Sequence, residues 1–477
     1  MIQEPLYNKT KIIATIGPAT SSKEMLKSII LAGVDVCRIN FSHGGFSDHL
    51  EVINNVRELN IELDLSVSLL GDLQGPKLRI GEMEPKSVLQ NGAEILITTI
   101  PGVGNKHKIY VNYEQLPGEM KAGELILIDD GNIQLKVVKV IDNQNIKAIV
   151  IDGGEIKSNK GFNLPNTILH LPSLTEKDLI DLDFALEHNF DWIGLSFVRE
   201  AQDVIELKRR IKNAGRDCRV IAKIEKPQAV DNIDAIIYET DGIMVARGDL
   251  GVEMPMEQVP MIQKSIVAKC IIASKPVIIA TQMMESMITN PRPTRAEVND
   301  VANAVMDGAD AVMLSAETSV GQYPLEVIKT MEKILRSTEL EWDIYYKGAK
   351  PIVSSPTFLS DEICFTAVRM SDHINAKAII SLTQSGYTAF KIASYRPKCD
   401  VFIFTHNRKI FSLLNLVWNV RVFYYDKLES TDQTITDVLQ LLKDKELLQK
   451  DDLVIHTASM PIHAKSRTNA LKISRVD

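Results

Sequence analysis

From Lys9 onward, short β-branched runs alternate with amphipathic stretches of helical period, a pattern that predicts strand–helix units and a parallel sheet. The first predicted strand is Lys11 to Gly17, and the Thr20, Ser21 and Ser22 cluster after Pro18 supplies a helix N-cap. The second, Val34 to Gly44, ends in Arg38, Asn40, Ser42 and His43; the third, Leu65 to Arg79, ends in charge again. Between Pro76 and about Leu171 the rhythm changes to alternating runs broken by Gly, Asn and Pro, with no segment of helical period. That predicts a small antiparallel β domain inserted after the third strand, able to close over a site at the strand ends. It finishes with SNKGFNLPN, which carries Lys160.

Ser173 or Thr175 then offers a helix cap, and the strand–helix rhythm resumes with Asp191 to Val198, Arg219 to Ile224, Gly242 to Ala246, Lys275 to Met283 and Asp310 to Thr318. Eight such strands, polar at every C-terminal end, fit a closed (β/α)₈ TIM barrel better than an open sheet. From about Tyr346 a helix, Phe358 to His373, and four further strands alternating with helices predict a separate open α/β domain. The expected division is 1–75 and 171–345 for the barrel, 76–170 for the lid and 346–477 for the C-terminal domain.

Composition narrows the function classes. A chain of 477 residues exceeds one ordinary core, and 45% hydrophobic with 24% charged residues is the balance of a soluble globular protein. A net charge of −8 argues against a nucleic-acid partner while leaving room for a local basic cleft. The N-terminus shows no basic region followed by a long apolar run, and no later stretch is apolar for long enough to span a bilayer, so a cytoplasmic protein without membrane contact is expected. The five cysteines have neither disulfide-framework nor metal-site spacing and read as reduced structural thiols.

The candidate chemistry concentrates in Val220 to Gly251, where one strand delivers Lys223, Glu225 and Lys226 and the next delivers Arg247, Gly248 and Asp249. A single strand ending this way is most simply a salt-bridged terminus. Two in succession suggest a metal-assisted anion site. A closed barrel would gather Arg38, Asn40, Ser42, His43, Asp72, Lys77, Arg79, Lys223, Glu225, Gly248, Asp249 and Thr281 on its C-terminal rim. That collection can hold several phosphates and a divalent cation, as phosphoryl transfer requires. No glycine-rich phosphate loop follows the first strand, so a nucleotide must be held by rim side chains and the lid. A metal-dependent lyase that stabilises an enolate is the alternative on the same rim. No nucleophile elbow is present.

The blocks ATIGP, CRINFSHG, GFNLPN, KIE, DGIMVARGDLG, ATQMMESM, PRPTRAEVNDVANAVMDGADAVMLSAET and YPLE occur in order across almost the whole chain, and in this they resemble the pyruvate kinase family. The resemblance implies transfer of the phosphoryl group of phosphoenolpyruvate to ADP, giving pyruvate and ATP in the last step of glycolysis. It implies Mg2+ or Mn2+, a C-terminal effector domain and a homotetramer. Lys223 is similar to the lysine that stabilises the transferring phosphoryl; Glu225 and Asp249 to the metal ligands; Arg38 to the residue that binds the substrate phosphate. The N–H groups of Gly248 and Asp249, with the Thr281 hydroxyl, would receive the substrate carboxylate, and Arg79 and Lys160, with Asn40 and His43 nearby, resemble nucleotide contacts. The enolate left after transfer needs a proton, from Thr281 or from a water it orients. A catalytically silent phosphoenolpyruvate sensor would be expected to have lost Lys223 or a metal carboxylate, and both are kept.

Two segments depart from the family pattern. The commoner form reads Asp-Thr-Lys-Gly-Pro-Glu and holds potassium on its Asn, Ser, Asp and Thr positions. Here the segment is Asp72-Leu73-Gln74-Gly75-Pro76-Lys77, so at the region of Asn40, Ser42, Asp72 and Leu73 a hydroxyl is lost and an ammonium gained. The expectation is an enzyme that does not require potassium. In the C-terminal domain, Thr383, Ser385 and Thr388 form an anion loop like the family's sugar-phosphate site, for a sugar-phosphate or nucleotide effector. Gln384 stands there where some members have lysine, and the terminal ASMPIHAKSRTNALKI lacks the usual glycines.

Overall fold

The computed structural model describes residues 7–167, 171–427, 430–460 and 467–477. Its centre is a closed barrel of eight parallel strands in chain order: Lys11–Thr15, Val34–Asn40, Ser68–Asp72, Trp192–Leu195, Arg219–Ile224, Gly242–Ala246, Val277–Ala280 and Ala311–Leu314. The last closes on the first through Lys11↔Ala311 to Ala14↔Leu314. Side chains alternate along each strand, so every second residue enters the barrel. Ile13, Val36, Leu70, Trp192, Ile221, Met244, Ile278 and Ala311 share one buried cluster, while their neighbours Ile12, Cys37, Leu69, Ile193, Val220, Ile243, Val277 and Val312 belong to another with the surrounding helices. Continuing the inward register by two residues leads from Ile13 to Thr15, Val36 to Arg38, Leu70 to Asp72 and Ile221 to Lys223. The apolar layer of the lumen thus gives way to charge at its C-terminal mouth.

The helix caps form where the sequence offers them. Ser22 accepts from the Met25 N–H at 3.3 Å. Thr175, rather than Ser173, starts the helix Glu176–Glu187, exchanging hydrogen bonds with Asp178 in a capping box.

Between the third and fourth barrel strands lies the inserted β domain, a six-stranded sheet with a separate two-stranded ribbon. The second, fourth, seventh and eighth barrel strands end at Asn40, Leu195, Ala280 and Leu314, short of the expected Gly44, Val198, Met283 and Thr318, and further details differ from the sequence expectation. The third barrel strand stops at Asp72 instead of running to Arg79: the Leu73 N–H makes the last ladder bond, to the Gly194 carbonyl at 3.0 Å, and Gly75 then takes φ +69°, which turns the chain away. The lid contains one helical turn, Leu116–Glu119, with Pro117 early in the turn where its missing N–H costs nothing. One of its strand pairs, Glu94–Thr98 with Lys108–Tyr110, is parallel.

The C-terminal domain places parallel strands Ala378–Leu382, Asp400–Thr405, Val420–Tyr424 and Leu453–Ala458 beside an antiparallel edge strand, Ala470–Arg475, that the sequence pattern did not announce. Part of the terminal ASMPIHAKSRTNALKI segment, residues 461–466, lies outside the described residues. The domain seats against the N-terminal end of the barrel, where the Trp192 indole donates to the Leu413 carbonyl at 3.2 Å. Arg396, 1% exposed, pairs both its terminal nitrogens with the Asp310 carboxylate at 3.2 and 3.0 Å and lies over the Trp418 ring. No helix among the described residues is long and apolar enough to cross a membrane.

Removing one partner of a buried ion pair strands the other. Arg396→Leu is therefore expected to lower stability by about 3–5 kcal/mol, read as a fall in the urea midpoint by circular dichroism; an unchanged midpoint would contradict the pairing.

Candidate active site

The ends of five successive barrel strands place one charged network at the mouth. Asp72, 1% exposed, ends the third strand and is shared. Its Oδ2 receives Arg38 Nε at 2.7 Å and Nη2 at 2.6 Å, and its Oδ1 lies 3.0 Å from Lys223 Nζ. Arg38 also donates to the Thr15 hydroxyl at 2.8 Å. Lys223 reaches Glu225 Oε1 at 3.1 Å and the Ser196 hydroxyl at 2.7 Å. The ammonium has three protons and three acceptors around it.

Burial by itself would raise the carboxyl of Asp72, but Lys223 and Arg38 overcome it and hold the group below the usual carboxylate range. For Lys223 the balance runs the same way: burial opposes the charge, and Asp72 and Glu225 outweigh it, so the ammonium is held more firmly than in water. Glu225 is different. Burial raises its carboxyl, the neighbouring charge of Asp249 raises it further, and Lys223 and the Phe197 N–H only partly compensate.

The helix Arg247–Glu253 starts directly from the sixth strand and presents Gly248 and Asp249 at the rim. The Gly248 N–H donates to Thr281 Oγ1 at 2.7 Å, and the Thr281 hydroxyl in turn donates to the Ala280 carbonyl at 2.6 Å. Thr281 and Gln282 both take left-handed backbone angles, φ 66° and 56°, so the chain turns sharply beyond the seventh strand. Such residues cost about 1–2 kcal/mol each outside glycine, and they are concentrated where side chains must be aimed. Arg247 donates to the Thr281 carbonyl at 2.8 Å and pairs with Asp300 at 2.7 Å, which fixes this turn. Lys226 pairs with the buried Glu253 and lies over the Phe197 ring. Both cations are structural here.

Lys77, just past the lid entry, points back to the barrel and lies 3.1 Å from Asp249 Oδ1. Leu73 turns into the apolar core, 1% exposed, and offers the site only its backbone carbonyl. Asn40 spends its side-chain oxygen on the Ser42 N–H at 3.1 Å, and His43 is exposed at the edge of the rim. The two lid cations are engaged within the lid: Lys160 pairs with Asp129 at 2.7 Å, and Arg79 donates to the Asn159 carbonyl at 3.0 Å. The structure thus brings together Arg38, Asp72, Lys223 and Glu225 and links Lys77 to Asp249, while Arg79 and Lys160 stand apart on the lid. Ser196 and Thr15, which contact these groups directly, were not singled out from the sequence. Their only signal was position: each lies at or just past a strand's C-terminal end.

Glu225 and Asp249 supply oxygen donors of the hard kind Mg2+ prefers, and their mutual repulsion is what a cation between them would relieve. No cluster of three or more His, Cys, Asp or Glu side chains able to hold a metal occurs among the described residues. Two carboxylates completed by substrate oxygens is the usual Mg2+ arrangement at phosphate sites.

A pocket of ≈ 490 Å³ opens in the C-terminal domain beside the helix Tyr387–Ser394. Thr383, Ser385, Thr388 and Arg467 line it. The Thr383 hydroxyl accepts from the Gly386 N–H at 3.1 Å, and Thr388 is hydrogen-bonded to Thr468 at 2.9 Å.

Comparison with known proteins agrees with this architecture. Residues 7–328 match the family model described as pyruvate kinase, barrel domain, and residues 361–474 match pyruvate kinase, alpha/beta domain. The chain is 41% identical over 481 residues to pyruvate kinase 2 of Synechocystis sp., covering 100% of this chain and 80% of the relative. To the pyruvate kinase of Clostridium acetobutylicum it is 40% identical over 474 residues, covering 98% of this chain and 100% of the relative. A crystal structure of a pyruvate kinase from Cryptosporidium parvum superposes with a TM-score of 0.92 at 35% identity, covering 98% of this chain and 96% of the other.

Proposed function

The chain belongs to the pyruvate kinase family, and on that premise we propose how its barrel mouth performs the family's reaction. The reaction is transfer of the phosphoryl group of phosphoenolpyruvate to ADP, giving pyruvate and ATP. The observation that carries the assignment of roles is the buried Lys223 ammonium, held at the lumen mouth between Asp72, Glu225 and Ser196.

Phosphoryl transfer asks a protein mainly for positioning and for charge stabilisation. Lys223 faces the transferring phosphoryl, and Arg38, fixed by Asp72 and Thr15, binds the same group from the adjacent side. Both cations are aimed before substrate arrives, so little reorganisation is needed as charge develops. The substrate carboxylate is received by the start of the helix Arg247–Glu253, where the Gly248 N–H now bonded to Thr281 is the donor within reach. Glu225 and Asp249 would hold a divalent cation, Mg2+ or Mn2+, which would supply charge neutralisation during transfer. Arg79 and Lys160 contact the nucleotide once the lid swings down, exchanging Asn159 and Asp129 for phosphate oxygens. For the enolate proton, the Thr281 hydroxyl is already donating to Ala280, which favours a water held by Thr281 over the threonine itself.

Lys77 replaces the monovalent cation. Its ammonium adds one fixed positive charge beside Asp249, and the buried Leu73 removes a hydroxyl that would have served as ligand. The same reading places the enzyme in the cytoplasm as a homotetramer, supported by the family match. The C-terminal pocket binds a sugar phosphate or a nucleotide, with Thr383, Ser385 and Thr388 on the phosphate and Arg467 as its nearby cation.

A coupled assay should show pyruvate formation from phosphoenolpyruvate that depends on both ADP and Mg2+, and Lys223→Met should lower it about 1000-fold with substrate binding retained. Undiminished turnover in that variant would remove Lys223 from its role. Replacing potassium with a tetraalkylammonium salt should change the wild-type rate by less than about twofold, whereas Lys77→Glu should need potassium for about tenfold of its rate. Strong potassium activation of the wild type would refute the Lys77 reading. At low phosphoenolpyruvate, a sugar phosphate or AMP should raise the rate, and Thr388→Ala should abolish the response; flat titrations with both would end the effector claim.

A further inference from the structure

Beyond the strand end carrying Lys223 and Glu225, a second strand end touches both residues. Ser196 and Phe197 follow the fourth barrel strand directly. The Ser196 hydroxyl, 2% exposed, donates to the Leu73 carbonyl at 2.7 Å and accepts from Lys223 at 2.7 Å. A hydroxyl has a single proton, so with that proton on Leu73 it is a lone pair that faces the ammonium. Phe197 takes a left-handed backbone, φ 54°, and this aims its N–H at Glu225 Oε2, 2.7 Å away. We propose that the Ser196–Phe197 turn is a positioning element for the transfer residues, in which Ser196 sets the place of the Lys223 ammonium and the Phe197 N–H that of the Glu225 carboxylate.

The chemistry of the three acceptors around Lys223 shows why one of them is a hydroxyl. To engage a phosphoryl oxygen, the ammonium must release one of its partners. Glu225 is the partner with a second claim on it, as a divalent-cation ligand. That leaves Asp72 and Ser196 as the two points that keep the direction of Nζ. A third carboxylate in place of Ser196 would repel the incoming phosphate, whereas a neutral hydroxyl holds the ammonium without adding negative charge. The turn is itself braced. A Cβ on Gly75, at the lid entry, would fall 2.9 Å from Ser196 Cβ and 2.8 Å from the Phe197 ring, so the hinge backbone packs against both residues.

The inference rests on the role given to Lys223 above, and its test separates the two. Ser196→Ala is expected to lower kcat about tenfold or more while leaving KM for phosphoenolpyruvate within about twofold and the melting temperature close to wild type. In a Lys223→Arg background the same change should cost less than about threefold, because a residue acting through Lys223 has little left to position. An unchanged kcat, a loss confined to KM, or an equal loss in both backgrounds would overturn it. Ser196→Cys, similar in size and a weaker acceptor, is read by the same criteria if the alanine variant folds poorly. Full loss of turnover in Lys223→Met with an unaffected Ser196→Ala overturns this inference alone; undiminished turnover in Lys223→Met overturns the reading beneath it and this inference with it.

Discussion

The Asp72 carboxylate, buried between Arg38 and Lys223, is the interaction on which the charged network at the barrel mouth depends. Bringing a carboxylate, a guanidinium and an ammonium out of water costs several kcal/mol per ion, and their attraction offsets that only with nearly complete hydrogen bonding. Here it is nearly complete: both Asp72 oxygens are engaged, Arg38 has Thr15 as a further acceptor, and all three Lys223 protons have partners. The network is then rigid because any rotation of one side chain would leave a buried charge unpaired. Charges fixed in this way need not move when a ligand's charge arrives beside them.

The barrel makes such a network attainable. Its apolar lumen, with Ile13, Val36, Leu70 and Ile221 in one cluster, excludes water from below. The same period of two that packs these residues places Thr15, Arg38 and Asp72 one step higher on the first three strands and Lys223 one step higher on the fifth. Above them, non-glycine residues in the left-handed region, Phe197, Thr281 and Gln282, turn backbone groups back over the mouth. The stability of the barrel supports this local strain, and the C-terminal domain adds to that support through Trp192 and Arg396 at the opposite end.

Much of this was legible in the chain. The β-branched runs and their polar ends gave the eight strands, the inserted β domain and the open α/β domain, and strand termini pointed to Arg38, Asp72, Lys223, Glu225 and Asp249. Ser196 was not legible, because a serine at a strand end carries no signal until a lysine is placed 2.7 Å away. Nor was the premature end of the third strand, where the ladder makes its last bond to the Gly194 carbonyl and Gly75 turns the chain away. The edge strand Ala470–Arg475 was missed for a related reason: it exists by pairing with Leu453–Ala458, and its own alternation is weak.

The sequence by itself determined the kinds of chemistry available and their approximate order on the rim, because hydrophobic period and residue type are local properties. It determined that Leu73 cannot offer a hydroxyl and that Lys77 brings a positive charge. Only the tertiary structure decided that this charge meets Asp249, that Lys226 and Arg247 belong to Glu253 and Asp300, and that Arg79 and Lys160 rest on partners within the lid. Ion pairing depends on distances between residues tens or hundreds of positions apart, and those distances are set by barrel closure and lid orientation. The charges of Val220 to Gly251 could be read along the chain; their partners could be read only across it.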